Sequence, residues 1–167
     1  AQRFDYGSIR EEIDVVSGGP PCQPFSISGK HRARKDGRDM FPEAIRAVRE
    51  LRPKAFLIEN VKGLMRRNFA DYFSYLQLQL QYPELERSRG EWWSAHRTRL
   101  ERHHTANRMA STYNVLVRTL NAADYGVPQR RERVFIVGFR SDLGVAWSFP
   151  PATHSEDALL ASKWIDG

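Results

Sequence analysis

A short apolar run that stops abruptly at a cluster of glycines and prolines constrains this chain more than any other feature. Ile13, Val15 and Val16 read as a buried strand, and Ser17-Gly18-Gly19-Pro20-Pro21 turns it into a loop. The arrangement returns at residues 55–58, where a second apolar run closes on Glu59-Asn60-Val61-Lys62-Gly63. Between the two, Ala44, Ile45, Ala47, Val48 and Leu51 recur at helical spacing over 40–51, with Pro53 just beyond. A second helix is expected over 69–80, with Phe69, Tyr72, Phe73, Leu76 and Leu80 on one side, and further strands over 113–120 and 134–137. Strands alternating with helices predict an α/β fold, in which ligands collect at the carboxyl ends of the strands. Cys22 and Glu59 both fall at such ends. If their strands are parallel neighbours, a thiol and a carboxylate share one cleft although they lie 37 positions apart (59 − 22).

Bulk properties narrow the class. At 167 residues the chain has the length of one domain and can bury a core without cross-links. A soluble protein is expected, because no apolar stretch nears the roughly 18 residues that cross a bilayer. A single cysteine excludes an internal disulfide and suggests a reducing compartment. Lysine and arginine number 26 against 20 acidic residues, a formal charge of +6, which favours a polyanionic partner without demanding one. Residues 23–39 are polar and basic with two glycines, the composition of a mobile surface loop. Residues 83–110 are rich in arginine and histidine, carry Trp92 and Trp93, and lack clear periodicity, so they read as an insertion: a basic arm, a solvated linker or a helical addition. His96, His103 and His104 have no zinc-site spacing, and no metal is expected.

A lone cysteine is ordinarily a small buried hydrophobe. Here Pro21 and Pro24 flank it and glycines precede it, fixing a non-helical backbone that presents the side chain rather than packing it. Pro20-Pro21-Cys22-Gln23-Pro24-Phe25-Ser26 resembles the nucleophile loop of the DNA cytosine-5 methyltransferases. Glu59-Asn60-Val61 is similar to that family's glutamate motif, and Gln129-Arg130-Arg131-Glu132-Arg133 to its Gln-x-Arg-x-Arg motif. All three stand in the family's order.

The resemblance implies a Rossmann-like S-adenosylmethionine-dependent methyltransferase fold, present in part as a mixed sheet flanked by helices. It implies catalytic roles for Cys22, Glu59, Arg131 and Arg133. The Cys22 thiolate would add to C6 of a cytosine rotated out of duplex DNA, so that C5 can accept the methyl group of S-adenosylmethionine. Glu59 would bond N3 and the exocyclic amine, Arg133 the O2 atom, and Arg131 a phosphate and the catalytic loop. Pro21, Gln23, Ser26, Asn60, Val61 and Gln129 would line the substrate side, and Pro21 and Met40 the cofactor side. Ser28, Lys30, His31, Arg32, Arg34 and Lys35 could meet phosphates.

The family also carries an upstream glycine-rich Phe-x-Gly-x-Gly loop and a downstream target-recognition region, neither of which is found here. The chain therefore reads as the middle of a longer enzyme, inactive alone: residues 1–150 as a partial catalytic domain, 151–167 as the start of a connection to the recognition region. Family habit suggests a monomer in the bacterial cytoplasm, at the nucleoid, serving a restriction–modification system beside a cognate endonuclease. Two rivals remain. One is a catalytically inactive methyltransferase-like module that binds DNA or a partner; the other is an unrelated cysteine-dependent hydrolase or acyltransferase, which would need a histidine base near Cys22, where His31 is close in sequence but sits in the basic loop.

Overall fold

A computed structural model describes residues 4–21, 40–106, 112–155 and 157. Among the described residues four strands form one mixed sheet in the order β1-β2-β4-β3. β1 (Val15–Gly18) and β2 (Ala55–Val61) are parallel neighbours, with Val15 opposite Ala55 and Gly18 opposite Ile58. β4 (Glu132–Arg140) runs antiparallel to β2 on one side and to β3 (Tyr113–Asn121) on the other. The parallel pairing that brings the two motif-bearing strand ends together is therefore in place.

The crossover from β1 to β2 contains α1 (Phe41–Leu51), in which Phe41, Ile45, Ala47 and Val48 are buried. Pro42 lies in the first turn, where its missing N–H costs nothing. The helix ends at Arg52, which takes the left-handed conformation (φ 46°) ahead of Pro53. α2 (Ala70–Gln81) follows β2 and packs Phe73, Leu76 and Leu80 on the same side of the sheet. Side chains alternate across a strand, so Phe56, Ile58 and Asn60 of β2 face these helices, while Leu57 and Glu59 face the other way. The core lies between α1, α2 and this one face: Phe56, Ile58, Val134 and Ile136 meet Phe41, Val48, Leu76 and Leu80. Tyr113, in β3, closes the cluster; its ring lies 5.3 Å from that of Phe56 and its hydroxyl donates to the Pro53 carbonyl at 2.8 Å.

Several elements outrun the lengths read from apolar runs. β2 extends through Glu59-Asn60-Val61, and β4 begins at Glu132 and runs to Arg140, because ladder hydrogen bonding continues past the last apolar residue. Residues 83–110 contain a third helix, α3 (Trp93–Thr105), which packs on α2 around Tyr75, Leu78, Tyr82 and Leu100. Its weak apolar pattern has a physical cause, since the buried face is completed by a histidine. His96 is 1 % exposed, with Nδ1 2.8 Å from the Tyr75 hydroxyl and Nε2 2.7 Å from the Leu85 carbonyl oxygen. A carbonyl only accepts, so Nε2 carries the proton and Nδ1 accepts from Tyr75. Burial, aided by the positive charge of Arg99, depresses the His96 pKa, with the Leu85 bond opposing in part. Burial also pushes the Tyr75 hydroxyl up to about 12.

A depressed histidine pKa means that the unfolded chain binds more protons than the folded one as pH falls below the ordinary value of 6.5. The stabilisation is complete above that pH and declines on acidification. Thermal melts are expected to show a Tm that falls from about pH 6.5 downward, and His96→Gln is expected to remove that component. A wild-type and variant Tm falling in parallel over this range would contradict it.

Candidate active site

Glu59 and Arg133 stand on adjacent antiparallel strands. In the register, Glu59 lies opposite Phe135 and Val61 opposite Arg133, which makes Glu59 and Arg133 diagonal neighbours on one sheet face. Arg133 Nε donates to Glu59 Oε1 at 2.7 Å, and Arg133 Nη1 donates to the Glu132 carbonyl at 2.8 Å. The pair is partly exposed, with 23 % of the arginine and 38 % of the glutamate side chain open to solvent. It faces away from the helices, so an incoming group can reach it.

On the other side of Glu59 is the carboxyl end of β1. A Cβ placed on Gly19 would lie 3.3 Å from Glu59 Oε2 and 3.7 Å from its carbonyl oxygen. Any side chain at position 19 would press on the carboxylate, so glycine keeps this approach open. Asn60 points the opposite way, into the core, and is only 5 % exposed. Its Nδ2 donates to the Pro20 carbonyl at 2.9 Å and its Oδ1 accepts the Val61 N–H at 2.8 Å. Asn60 thus ties the strand bearing Glu59 to the segment two residues before Cys22. Next to it, the Met40 N–H donates to the Pro21 carbonyl at 3.4 Å, so the residues flanking 22–39 on either side meet each other.

Arg131 precedes β4. Its N–H donates to Asn121 Oδ1 at 3.0 Å and its carbonyl accepts the Ala122 N–H at 3.0 Å, fixing the backbone while the side chain is exposed. Gln129 is exposed in the turn before it, with its N–H bonded to the Val127 carbonyl at 2.7 Å. Lys62 Nζ and Glu132 Oε1, 2.6 Å apart, join the end of β2 to the start of β4. Glu59, Asn60, Val61, Arg133 and Pro21 are thus gathered around the ends of β1 and β2, with Met40 held against Pro21. Cys22, Gln23 and Ser26, and the phosphate-binding candidates at 28–35, lie outside the described residues. Two contributors escaped sequence reasoning. The Gly19 gap and the Asn60–Pro20 bond depend on which strands are neighbours, which no local pattern records.

Among the described residues no group of three or more histidine, cysteine, aspartate or glutamate side chains could hold a metal ion. No helix among them is long and apolar enough to cross a membrane.

Comparison with known proteins gives a consistent family. The family described as C-5 cytosine-specific DNA methylase matches residues 2–82 and 94–163. The Type II methyltransferase M.AquIA of Picosynechococcus sp. is 42% identical over 144 residues, which is 86% of this chain and 49% of that protein. The Type II methyltransferase M.NgoMIV of Neisseria gonorrhoeae is 34% identical over 164 residues, covering 98% of this chain and 44% of its own length. A crystal structure of a candidate DNA modification methyltransferase encoded within an E. coli prophage superposes with a TM-score of 0.50 at 27% identity, over 87% of this chain and 32% of that one. The chain thus spans about half the length, or less, of these curated relatives.

Proposed function

Because this chain belongs to the C-5 cytosine-specific DNA methylases, we propose that it carries the catalytic centre of a DNA cytosine-5 methyltransferase acting on a base rotated out of duplex DNA. The observation that carries the reading is the Glu59–Arg133 pair at 2.7 Å, on an accessible sheet face beside the strand end that leads to Cys22.

C5 of cytosine is too electron-poor to accept a methyl group unaided. In the proposed reaction the Cys22 thiolate forms a bond to C6, and the ring's 5,6 double bond shifts its electrons to C5. Glu59, in its protonated form, donates to N3 and offsets the charge that builds there. Arg133 exchanges its bond to Glu59 for one to the cytosine O2. It already lies beside Glu59 on the same sheet face, so little reorganisation is needed. Arg131, its backbone fixed and its side chain exposed, takes a phosphate of the flipped nucleotide. Once C5 carries the methyl group, the N3 proton returns to Glu59 and the C5 proton passes to water, which restores the 5,6 double bond and expels the Cys22 thiolate.

S-adenosylmethionine supplies the electrophilic methyl group when bound. At the end of β1 Gly18 borders open space, a Cβ there meeting nothing within 4 Å. Pro21 and Met40 would border that opening. The proposed setting is the cytoplasm of a bacterium, at the nucleoid, with double-stranded DNA as partner, the protein acting as a monomer in a system with a cognate endonuclease.

The test uses the full-length protein with a duplex carrying 5-fluorocytosine at the target and S-adenosylmethionine. Fluorine at C5 cannot leave as a proton does, so a denaturation-resistant protein–DNA complex should accumulate. If active enzyme forms none, the reading is lost.

Asn60 yields a separate prediction. Asn60→Asp keeps an oxygen for the Val61 N–H but sets a carboxylate against the Pro20 carbonyl. A cost of about 1–3 kcal/mol in stability is expected from the lost bond. Complex formation should slow while affinity for the duplex stays unchanged, since the Asn60 side chain, turned into the core and not toward the substrate side as expected from the sequence, positions the segment before Cys22. Unchanged rates in a destabilised Asn60→Asp protein would reduce Asn60 to a core residue.

A further inference from the structure

Residues 83–93 fall outside the family match, yet they are firmly held. The Glu91 N–H donates to the Ser88 carbonyl at 3.0 Å, and Gly90, third in this four-residue turn, has φ +80°, the arrangement that calls for glycine. The Glu91 carboxylate accepts the Ser88 N–H at 2.8 Å and two bonds from Arg99 at 3.2 and 3.0 Å. Those bonds, Arg99 foremost, hold the Glu91 pKa down to about 2. Arg99 also donates to the Glu86 carbonyl at 2.6 Å, His96 to that of Leu85 at 2.7 Å, and Arg49 lies 3.2 Å from the Glu86 carboxylate. The segment is therefore pinned at 85, 86, 88 and 91.

What this bracing holds outward is an indole and two guanidinium groups. Trp92 is 74 % exposed, and Arg87 and Arg89 are exposed. Among the described residues neither arginine has a carboxylate within ion-pairing distance, whereas Arg46, Arg97, Arg99 and Arg140 all do. The turn's own acid, Glu91, is neutralised by Arg99, so the surface offers two net positive charges around a flat apolar ring. Its position is informative too. Arg97 is bonded to Asp71 in the first turn of α2 at 2.9 Å, and Trp93 packs on Tyr75 one turn further along. The start of α3 thus lies toward the end of α2 that follows the carboxyl end of β2, the end bearing Glu59.

We propose that the turn over residues 87–92 is a second DNA-contacting surface, which grips the sugar–phosphate backbone of the duplex away from the base that enters the cleft. Arg87 and Arg89 bind phosphates, and Trp92 lies against deoxyribose. Guanidinium groups suit phosphate oxygens, and an indole buries area at small entropic cost. A turn already fixed loses little freedom on binding. The inference rests on DNA being the substrate but not on the chemistry at Cys22.

The experiment measures affinity of the full-length protein for a duplex extending several helical turns beyond the target cytosine, across a series of salt concentrations. Replacing both arginines (Arg87→Gln with Arg89→Gln) is expected to weaken binding roughly 30-fold and to lower the slope of log Kd against log salt by about 2. Trp92→Ala is expected to weaken binding roughly fivefold with the slope unchanged, and Trp92→Phe to restore part of it. A duplex trimmed close to the target should be bound equally by all variants. Covalent complex formation on that short duplex serves as the separate check on the catalytic reading: its failure, with the salt effects present, removes the mechanism and leaves the surface. Unchanged affinity and slope on the long duplex overturn the proposal, including the case in which Trp92→Ala instead abolishes self-association or binding to a protein.

Discussion

Cys22→Ala is expected to abolish the covalent complex with 5-fluorocytosine DNA outright while duplex binding persists, and Glu59→Gln to slow its formation by about 10²–10³-fold. The contrast follows from the role proposed for each group. Cys22 is the one cysteine of these 167 residues, and the proposed reaction needs its sulfur to form the bond. Glutamine keeps the size of Glu59 and an oxygen to face Arg133 Nε, now 2.7 Å from the carboxylate. It can present an amide N–H toward N3, but it cannot supply a proton to the ring. A residual rate therefore survives at Glu59→Gln and none at Cys22→Ala. The measurement is single-turnover trapping of the complex under denaturing conditions. Equal rates for Glu59→Gln and wild type would remove Glu59 from the chemistry, and a complex persisting in Cys22→Ala would remove the mechanism altogether.

The second large effect concerns the sheet that presents these groups. Gly138 lies opposite Phe56 in the β2–β4 ladder, and a Cβ there would sit 2.2 Å from Phe56 Cζ and 2.3 Å from Cε1. The Phe56 ring thus occupies the space where a side chain would be. It is 1 % exposed and leans on Tyr113, whose hydroxyl is bonded to the Pro53 carbonyl, so it has no free direction to retreat. Gly138→Ala should cost roughly 2–3 kcal/mol, or about 4–12 °C in Tm. Shrinking the ring in the same protein, Phe56→Leu with Gly138→Ala, should recover part of the loss. If the single variant melts with the wild type, the close approach of ring and backbone is wrong.

How much of this was legible beforehand depended on whether the signal was local. Four strands and two helices announced themselves through apolar runs and helical spacing, and the catalytic candidates through three short motifs. Strand ends are not legible in apolar runs because Glu59, Asn60, Glu132 and Arg133 are polar yet remain in the ladder: hydrogen bonding, unlike burial, does not need apolar side chains. α3 was hidden among other options because its buried face uses His96, bonded to Tyr75 and Leu85, in place of an aliphatic residue. The juxtaposition of Glu59 with Gly19, and of Asn60 with Pro20, arises only when β1 and β2 are laid side by side. Nothing local in the sequence says that Arg133 meets Glu59.

In the proposed mechanism, the diagonal contact between Glu59 and Arg133 makes strand alignment itself a determinant of chemistry. Were β4 to slide by one residue along β2, Arg133 would turn toward the helices and Val134 would take its place in the cleft, because side-chain direction reverses at every step. Substitutions far from the reacting atoms that loosen this pairing would then impair methyl transfer in proportion to the misaligned fraction. Such variants would look like catalytic defects in activity measurements while leaving every motif residue intact.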